Sequence, residues 1–347
     1  MSLPGTMRVA RYYGPEDIRV EEMPVPAPGP GEIVVRVRAC GICGSDVMDW
    51  YLAPRAPLVP GHEPAGEVVT VGPGVEKFRP GDRVFVHHHV PCFVCHRCRR
   101  GHHTLCPAFH QTRIEPGGFA EYIRVPAPNV AKDVWKLPEQ LSYEEATLVE
   151  PLACALRAWE KLRVFPDDTA AVVGCGVSGL LLIMAGRLYP VGRIFGVDPA
   201  EFRRRAAVGA GAAGAFPPEA AADALRAANG GRGADLVIVA TGSPAGLKLA
   251  FELVEPGGTI LLYAPTAPEV ELPVRPHRLF FDEITVVASY SATPLETGPA
   301  LGLIAAGRIP AGRLITHRLP LERVAEGLGL VRQAADSLKV VILPGQF

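Results

Sequence analysis

The chain has 347 residues, of which 48% are hydrophobic and 20% charged, and its formal net charge at pH 7 is −1. This length fits two domains that each bury a core, and the composition is typical of a soluble globular protein. The near-zero charge argues against nucleic acid or an anionic membrane as the main partner. No apolar run reaches the roughly 20 residues of a spanning helix, and the first residues lack signal-peptide features, so we expect a cytoplasmic protein.

Short β-like segments broken by Gly and Pro dominate the chain from Arg8 to about Val149. The clearest ones end at turn residues, and they cover 32–38, 65–71 and 82–86. This spacing predicts an antiparallel sheet or barrel.

Four of the eight cysteines fall within fifteen residues, at Cys92, Cys95, Cys98 and Cys106. Clustered cysteines in a long intracellular chain indicate metal rather than a disulfide framework. Four thiolates leave no open position on a tetrahedral ion, which predicts a structural zinc lobe at about 87–110. Free cysteines and an iron–sulfur cluster are the alternatives. We expect the neighbouring histidines to be solvated surface side chains; these are His87, His88, His89, His96, His102 and His103.

Strands and helices alternate from about residue 152 to 290. Apolar strands are predicted at 170–174, 192–198, 234–240, 258–263 and 284–288, with helical stretches between most of them. This alternation predicts a parallel sheet covered by helices. The tail from Thr293 ends in a further strand at 339–343. The predicted fold class is therefore α/β, with a doubly wound domain at 152–292 inserted into a β-rich domain formed by 1–151 and 293–347.

A Gly-x-Gly-x-x-Gly motif directly follows the first of these strands, at Gly174, Gly176 and Gly179. Such glycines permit a tight turn, a close approach to a pyrophosphate and tight helix packing. Asp198 ends the next strand, where a carboxylate binds ribose hydroxyls and repels a 2′-phosphate, so NAD is favoured over NADP. The basic run that begins at Arg203 could soften that preference. The alternative is a glycine-rich turn that binds no nucleotide.

Four further residues could hold a catalytic zinc: Cys43, His62, Glu63 and Glu150. A catalytic zinc needs about three protein ligands and one open position for substrate oxygen. Zinc promotes loss of the alcohol proton, and hydride then passes to the nicotinamide. Ser45 could carry the proton away, and Asp46 could orient His62. Taken singly, each could instead be an ordinary core or surface residue.

The ordered set of motifs resembles the zinc-containing branch of the medium-chain dehydrogenase/reductase superfamily. The matching segments are 41–46, 61–63, 81–84, the four-Cys lobe, 150–152, the glycine motif with Asp198, 240–242 and 256–258. This resemblance implies a GroES-like catalytic domain, a Rossmann domain and a cleft between them. Classical alcohol dehydrogenases usually have a Cys at the position of Glu150. A Glu at this position is similar to the pattern of sorbitol and threonine dehydrogenases, in which Cys, His and a Glu hold the metal.

The resemblance also implies the cofactor contacts. By position these are the glycines of the motif with Val177, Ser178, Asp198 and Arg203, together with Tyr263, Ala264 and Ser289. Two positions depart from the family pattern. Met48 stands where many relatives carry a relay His, so the proton route must differ. Ser289-Tyr290 replaces the Arg-Tyr of sorbitol dehydrogenases, which argues against sorbitol itself. Cys154, one helical turn after Glu150, is a minor candidate for the third ligand.

The leading hypothesis is an enzyme with two zinc ions per chain that transfers hydride between NAD and a small secondary alcohol, polyol or amino alcohol. Trp50 and Tyr51 would help to shape its substrate pocket. The alternatives are a zinc-independent quinone or enoyl reductase of the same superfamily, and a non-catalytic zinc-stabilised protein that senses NAD(H). By analogy we expect a homodimer or homotetramer, joined through edge strands near 261–263.

Overall fold

The computed structural model describes residues 3–272 and 274–345. The chain divides into two compact units, of which unit 1 is Met1–Ala153 with Ala292–Phe347 and unit 2 is Cys154–Ser291. None of the helices in the described part of the chain combines the length and apolar character needed to span a membrane.

Unit 1 is rich in strands. Its elements before the unit boundary are β1 (Thr6–Gly14), β2 (Asp17–Pro24), β3 (Ile33–Gly41), α1 (Asp49–Leu52), β4 (Glu63–Val71), β5 (Arg83–Val86), α2 (His96–Arg99), α3 (Pro107–Gln111), β6 (Tyr122–Val125), α4 (Ala127–Lys132), β7 (Val134–Lys136) and α5 (Tyr143–Ala146). Helix α6 (Val149–Glu160) crosses the boundary between the two units.

Unit 2 alternates strands and helices. Its elements are β8 (Thr169–Val173), α7 (Val177–Gly186), β9 (Arg193–Val197), α8 (Glu201–Gly209), β10 (Gly214–Phe216), α9 (Ala221–Ala228), β11 (Ala234–Val239), α10 (Pro244–Leu253), β12 (Val254–Leu262), α11 (Pro276–Phe281) and β13 (Thr285–Ala288). The chain then returns to unit 1 with α12 (Pro294–Ala305), β14 (Ile315–Pro320), α13 (Val324–Gln333) and β15 (Lys339–Leu343).

The main sheet of unit 1 has the order β14-β15-β3-β4-β5-β7, and β6 also pairs with β3. Pairing among β3, β4, β5, β6 and β7 is antiparallel, as expected from the sequence. Strand β3 lies inside this sheet, which explains why its apolar residues, such as Ile33, Val35 and Val37, have no exposure. The C-terminal strand β15 pairs with β3 and so brings distant residues next to it.

The sheet of unit 2 is parallel in the order β10-β9-β8-β11-β12-β13. This is the strand order of a doubly wound dinucleotide-binding fold, so the predicted fold class is confirmed. One expectation was wrong. Residues 261–263 cannot form an edge through which subunits join, because β12 is paired on both sides and the sheet ends at β10 and β13.

Candidate active site

The four cysteines of the lobe bring their sulfur atoms together. Their Sγ atoms all lie within 4.8 Å of one another, with Cys106 3.5 Å from Cys92 and 3.8 Å from Cys95. A tetrahedron of zinc–sulfur bonds has edges of about 3.8 Å, whereas a disulfide bond is only about 2.05 Å long. None of these four cysteines forms a disulfide bond. The geometry therefore suits one tetrahedral ion.

Backbone amides favour a thiolate within this lobe. The N–H groups of Val94 and Cys95 donate to Cys92 Sγ over 3.4 and 3.3 Å. These two hydrogen bonds lower the pKa of the Cys92 thiol to about 6. Burial acts in the opposite direction on Cys98, whose pKa it raises to about 12. The binding of a cation would favour the deprotonated form of every thiol in the group.

A second group of candidate ligands forms where β3 ends and β4 begins. The ligand atoms of Cys43, His62 and Glu63 lie within 4.8 Å of one another. The antiparallel register places Gly41 opposite Glu63, so Cys43, two residues past Gly41, comes beside the start of β4. Strand pairing rather than sequence proximity therefore assembles this group.

Glu63 is fully buried, and its two carboxylate oxygens have different environments. Oε2 accepts a hydrogen bond from Lys339 Nζ, whereas Oε1 has no hydrogen-bond partner. Burial raises the pKa of Glu63, although the charge of Lys339 opposes that shift. An orphaned buried carboxylate oxygen is costly unless something binds it. A cation beside Cys43 and His62 would satisfy Oε1, so the donor set fits a zinc ion.

Lys339 is the functional residue that sequence reasoning missed, since it was noted only as the start of the last strand. It has no exposure, and its Nζ also donates to the carbonyl of Ile42 over 3.1 Å. Gly41 makes room for this pair, because a Cβ there would lie 2.0 Å from Glu63 Oε2. A lysine at the first position of an otherwise apolar strand was the available signal, since a buried charge needs a partner.

Asp46 contacts both neighbouring candidate ligands. One of its oxygens accepts the backbone N–H of Cys43 over 2.9 Å, and the other lies 3.6 Å from His62 Nδ1. Burial alone would lower the pKa of His62, but the charges of Asp46 and Cys43 outweigh it and raise the pKa well above its ordinary value. Ser45 and Met48 are half-buried in the same loop.

Glu150 and Cys154 lie on α6 and do not join the three clustered ligands among the described residues. Glu150 is buried, and its charge contributes to the pKa shifts of Glu63, Lys339 and His87. It therefore lies close enough to influence the group electrostatically. Cys154 belongs to unit 2 and is half-buried.

The three histidines that precede the four cysteines depart from expectation. His87 has no exposure, and its Nδ1 donates to Asp133 over 2.6 Å. His88 and His89 are half-buried. The prediction that these three are solvated surface side chains was wrong, because β5 ends at Val86 and its continuation stays inside unit 1.

The glycine motif forms the turn between β8 and α7 in unit 2. Gly174 has a φ of +96°, which favours glycine, and a Cβ on Gly179 would lie 1.9 Å from the carbonyl oxygen of Gly174. Gly176 is the N-cap residue of α7, and Val177 and Ser178 form the first turn. The free amides of this turn are those that bind a pyrophosphate in related folds.

The other predicted cofactor contacts gather at the same edge of the parallel sheet. Asp198 follows β9, and its carboxylate accepts the backbone N–H groups of Cys175 and Ala200 over 2.8 and 2.9 Å. Tyr263 and Ala264 follow β12, and Ser289 follows β13. Arg203 lies close to the glycine turn, since its Nη1 would be 3.7 Å from a Cβ placed on Gly176. These positions are the carboxyl ends of the strands, where doubly wound folds bind ligands.

Comparison with known proteins supplies the family. Residues 29–139 match the alcohol dehydrogenase GroES-like domain, and residues 178–306 match the zinc-binding dehydrogenase domain. Sorbitol dehydrogenase of Bacillus subtilis is 30% identical over 99% of both chains. The chain belongs to the zinc-containing medium-chain dehydrogenases.

Two further members of this zinc-containing dehydrogenase family extend the comparison. L-threonine 3-dehydrogenase of Pyrococcus furiosus is 32% identical over 97% of each chain. A zinc-binding dehydrogenase from Sinorhizobium meliloti 1021, solved with NADP, has a TM-score of 0.86 at 28% identity and covers 98% of this chain and 100% of its own. Family membership makes this protein an alcohol-type dehydrogenase.

Proposed function

We propose that this dehydrogenase is zinc-dependent and transfers a hydride between NAD and a small secondary alcohol, polyol or amino alcohol and its ketone. The observation that supports zinc dependence is the group of Cys43, His62 and Glu63, in which the buried Glu63 Oε1 has no hydrogen-bond partner. The polyol and amino-alcohol classes are suggested by the sorbitol and threonine relatives.

The catalytic metal would be held by Cys43, His62 and Glu63, with Glu150 as the further carboxylate of the site. When bound there, zinc supplies Lewis acidity toward an alcohol or carbonyl oxygen. Lys339 holds Glu63 in place by donating a hydrogen bond to its Oε2, which leaves Oε1 for the metal. Asp46 lies beside His62. We assign Ser45 the first step in removal of the substrate hydroxyl proton, since Met48 cannot exchange a proton. The second zinc would be held by Cys92, Cys95, Cys98 and Cys106, where four thiolates leave no place for substrate.

The environment of Asp198 favours NAD over NADP. Each carboxylate oxygen already accepts one amide N–H, and each keeps a lone pair for a ribose hydroxyl. A 2′-phosphate would meet this carboxylate and be repelled. Arg204, which could offset the repulsion, is engaged with the carbonyl oxygens of Asp198 and Pro199.

A homo-oligomer joined through the β13 edge accounts for an exposed apolar surface in unit 2. Phe280 and Phe281 are 75% and 68% exposed, and Val286 on β13 is 44% exposed. An unpaired strand edge beside large apolar side chains is typical of an association surface. A dimer or a tetramer would cover it. The eight free thiols are consistent with a reducing cytoplasm.

The test measures zinc content, cofactor binding and turnover together. We expect two zinc ions per purified chain and reduction of NAD, in preference to NADP, with some member of a panel of polyols, threonine and secondary alcohols. His62→Ala should lose one zinc and all turnover while NAD binding persists, because the cofactor residues lie in unit 2. Full activity in His62→Ala would favour the zinc-independent reductase.

A further inference from the structure

The segment His87–His89 follows β5, and its two outer imidazoles are anchored. His87 Nδ1 donates to Asp133 Oδ2 over 2.6 Å, and both side chains have no exposure. At the other end, His89 Nδ1 donates to the carbonyl oxygen of Thr112 over 2.5 Å. The segment is therefore fixed on both sides of His88.

Asp133, which anchors His87, is itself held by several groups. Its Oδ1 accepts the indole N–H of Trp135 over 2.8 Å and the hydroxyl of Thr297 from α12. The main chain adds two bonds, because His87 N donates to Asp133 O and Asn129 Nδ2 donates to His87 O. A buried network with this many bonds resists rotation of the His87 ring.

The middle imidazole, His88, packs against a candidate metal ligand. Its ring centroid lies 4.9 Å from that of His62, at an interplanar angle of 55°. The ring centroids of His87 and His89 lie 4.9 and 4.1 Å from that of His88. His88 therefore contacts two anchored rings as well as the ring of His62.

The contact of His62 with Asp46 is long for a hydrogen bond. The distance of 3.6 Å between His62 Nδ1 and Asp46 Oδ1 exceeds the usual range of about 2.7–3.2 Å for an N–H···O bond. The terminal torsion of a histidine is broad, so a weak contact leaves the ring plane loosely defined. A metal ligand must present its lone pair in one direction.

We propose that His88 is a positioning residue for His62, and that the Asp133–His87 and Thr112–His89 contacts hold His88 in place for this purpose. The ring of His88 restrains the orientation of the His62 ring, so that its nitrogen would face the place where Cys43 and Glu63 would share an ion. This role depends on the shape of the ring and needs neither nitrogen of His88. The inference rests on the proposed zinc site.

The experiment measures zinc release from the fully loaded chain to a colorimetric chelator. Wild type should release two zinc ions in two phases, and Cys43→Ser identifies the phase that belongs to the Cys43 group by removing it. His88→Ala and His88→Leu, which lack a ring, should accelerate that phase about 10-fold or more, as loss of groups that orient a ligand commonly does. His88→Phe keeps a ring and should release zinc at the wild-type rate. Leu fills more of the space than Ala and keeps the test available if His88→Ala does not fold.

Two internal comparisons separate positioning from general destabilisation. The phase from the four-thiolate lobe should stay unchanged in all three His88 variants, and so should both phases in His277→Ala, which removes a ring contact of 4.5 Å with Phe281 in unit 2. If wild type releases zinc in two phases but neither His88→Ala nor His88→Leu accelerates release from the Cys43 group, the inference is overturned and the proposed function stands. Equal acceleration in His88→Phe would also overturn it, by showing that a nitrogen matters. A wild-type chain that binds one zinc would overturn the proposed function as well.

Discussion

The two groups of candidate zinc ligands differ in how their members are brought together. Cys92, Cys95, Cys98 and Cys106 come from one loop with two short helices. In the second group, Cys43 follows the end of β3, whereas His62 and Glu63 lie at the start of β4, which pairs with it. Lys339, beside them, comes from the last strand of the chain. The first group is thus held in a single loop of short elements, whereas the second is ordered by a sheet that forms in any case.

A practical consequence concerns what each ion contributes. A loop closed by four thiolates gains its order from the metal, because the folding of such small lobes is coupled to metal binding. A site built on packed strands is preorganised, so its metal can serve chemistry without being needed for the fold. Variants and metal removal should therefore affect the two groups differently.

The largest difference is expected between Cys43→Ser and Cys98→Ser. Cys43→Ser should lower kcat/KM by about 1,000-fold or more, because a Lewis acid supplies several kcal/mol of transition-state stabilisation, and should leave the melting temperature nearly unchanged. Cys98→Ser should mainly lower the melting temperature of the protein. Steady-state kinetics and calorimetry on both variants check this contrast, and the reverse pattern would show that the roles of the two groups are exchanged.

Removal of the partner of Glu63 should be the next largest effect. Lys339→Met leaves a buried carboxylate unpaired in the metal-free chain, which commonly costs about 3–5 kcal/mol in the free energy of unfolding. Zinc should recover part of that loss, because it supplies positive charge to the same carboxylate. Denaturant unfolding with and without zinc measures both values. The double variant Glu63→Gln/Lys339→Met is the control, and it should be more stable than Lys339→Met without zinc.

Metal removal should change the exchange of backbone amide hydrogens to different extents around the two groups. In the zinc-free chain we expect the amides of 92–111 to lose protection by about 100-fold or more, since local opening there no longer costs the binding energy of the ion. Amides of β3 and β4 should remain protected, because their ladder does not depend on metal. Hydrogen exchange followed by mass spectrometry measures both segments. Equal loss in β3 and β4 would mean that the second site is not preorganised.

The smallest effect concerns His89, whose ring lies 4.1 Å from His88 and 4.9 Å from Phe109 beside the thiols. Burial lowers the pKa of His89 to about 3, well below its usual value. The unfolded chain therefore binds the extra proton between about pH 3 and 6.5, and stability falls as the pH falls through this window. At pH 5.5 the loss should be about 1 kcal/mol relative to pH 7.5. His89→Phe should reduce it, whereas His102→Phe at an exposed position should not.

Features that are set by residues close together in the sequence were predictable from the sequence alone. The strand followed by Gly174, Gly176 and Gly179 fixes a turn whose geometry few other residues permit, and the spacing of the four cysteines fixes a loop that can surround an ion. The alternation of strands and helices in unit 2 likewise determined a parallel sheet. Short-range steric and chemical rules suffice for each of these.

What only the tertiary structure decided involves contacts between segments far apart in the chain. Lys339 meets Glu63 because β15 and β4 both pair with β3, and Asp133 meets His87 because β7 pairs with β5. The triple histidine therefore lies inside unit 1 rather than on its surface. Buried charges and rings take their partners from strand order and register, and those are set by the packing of the whole sheet rather than by any local pattern of residues.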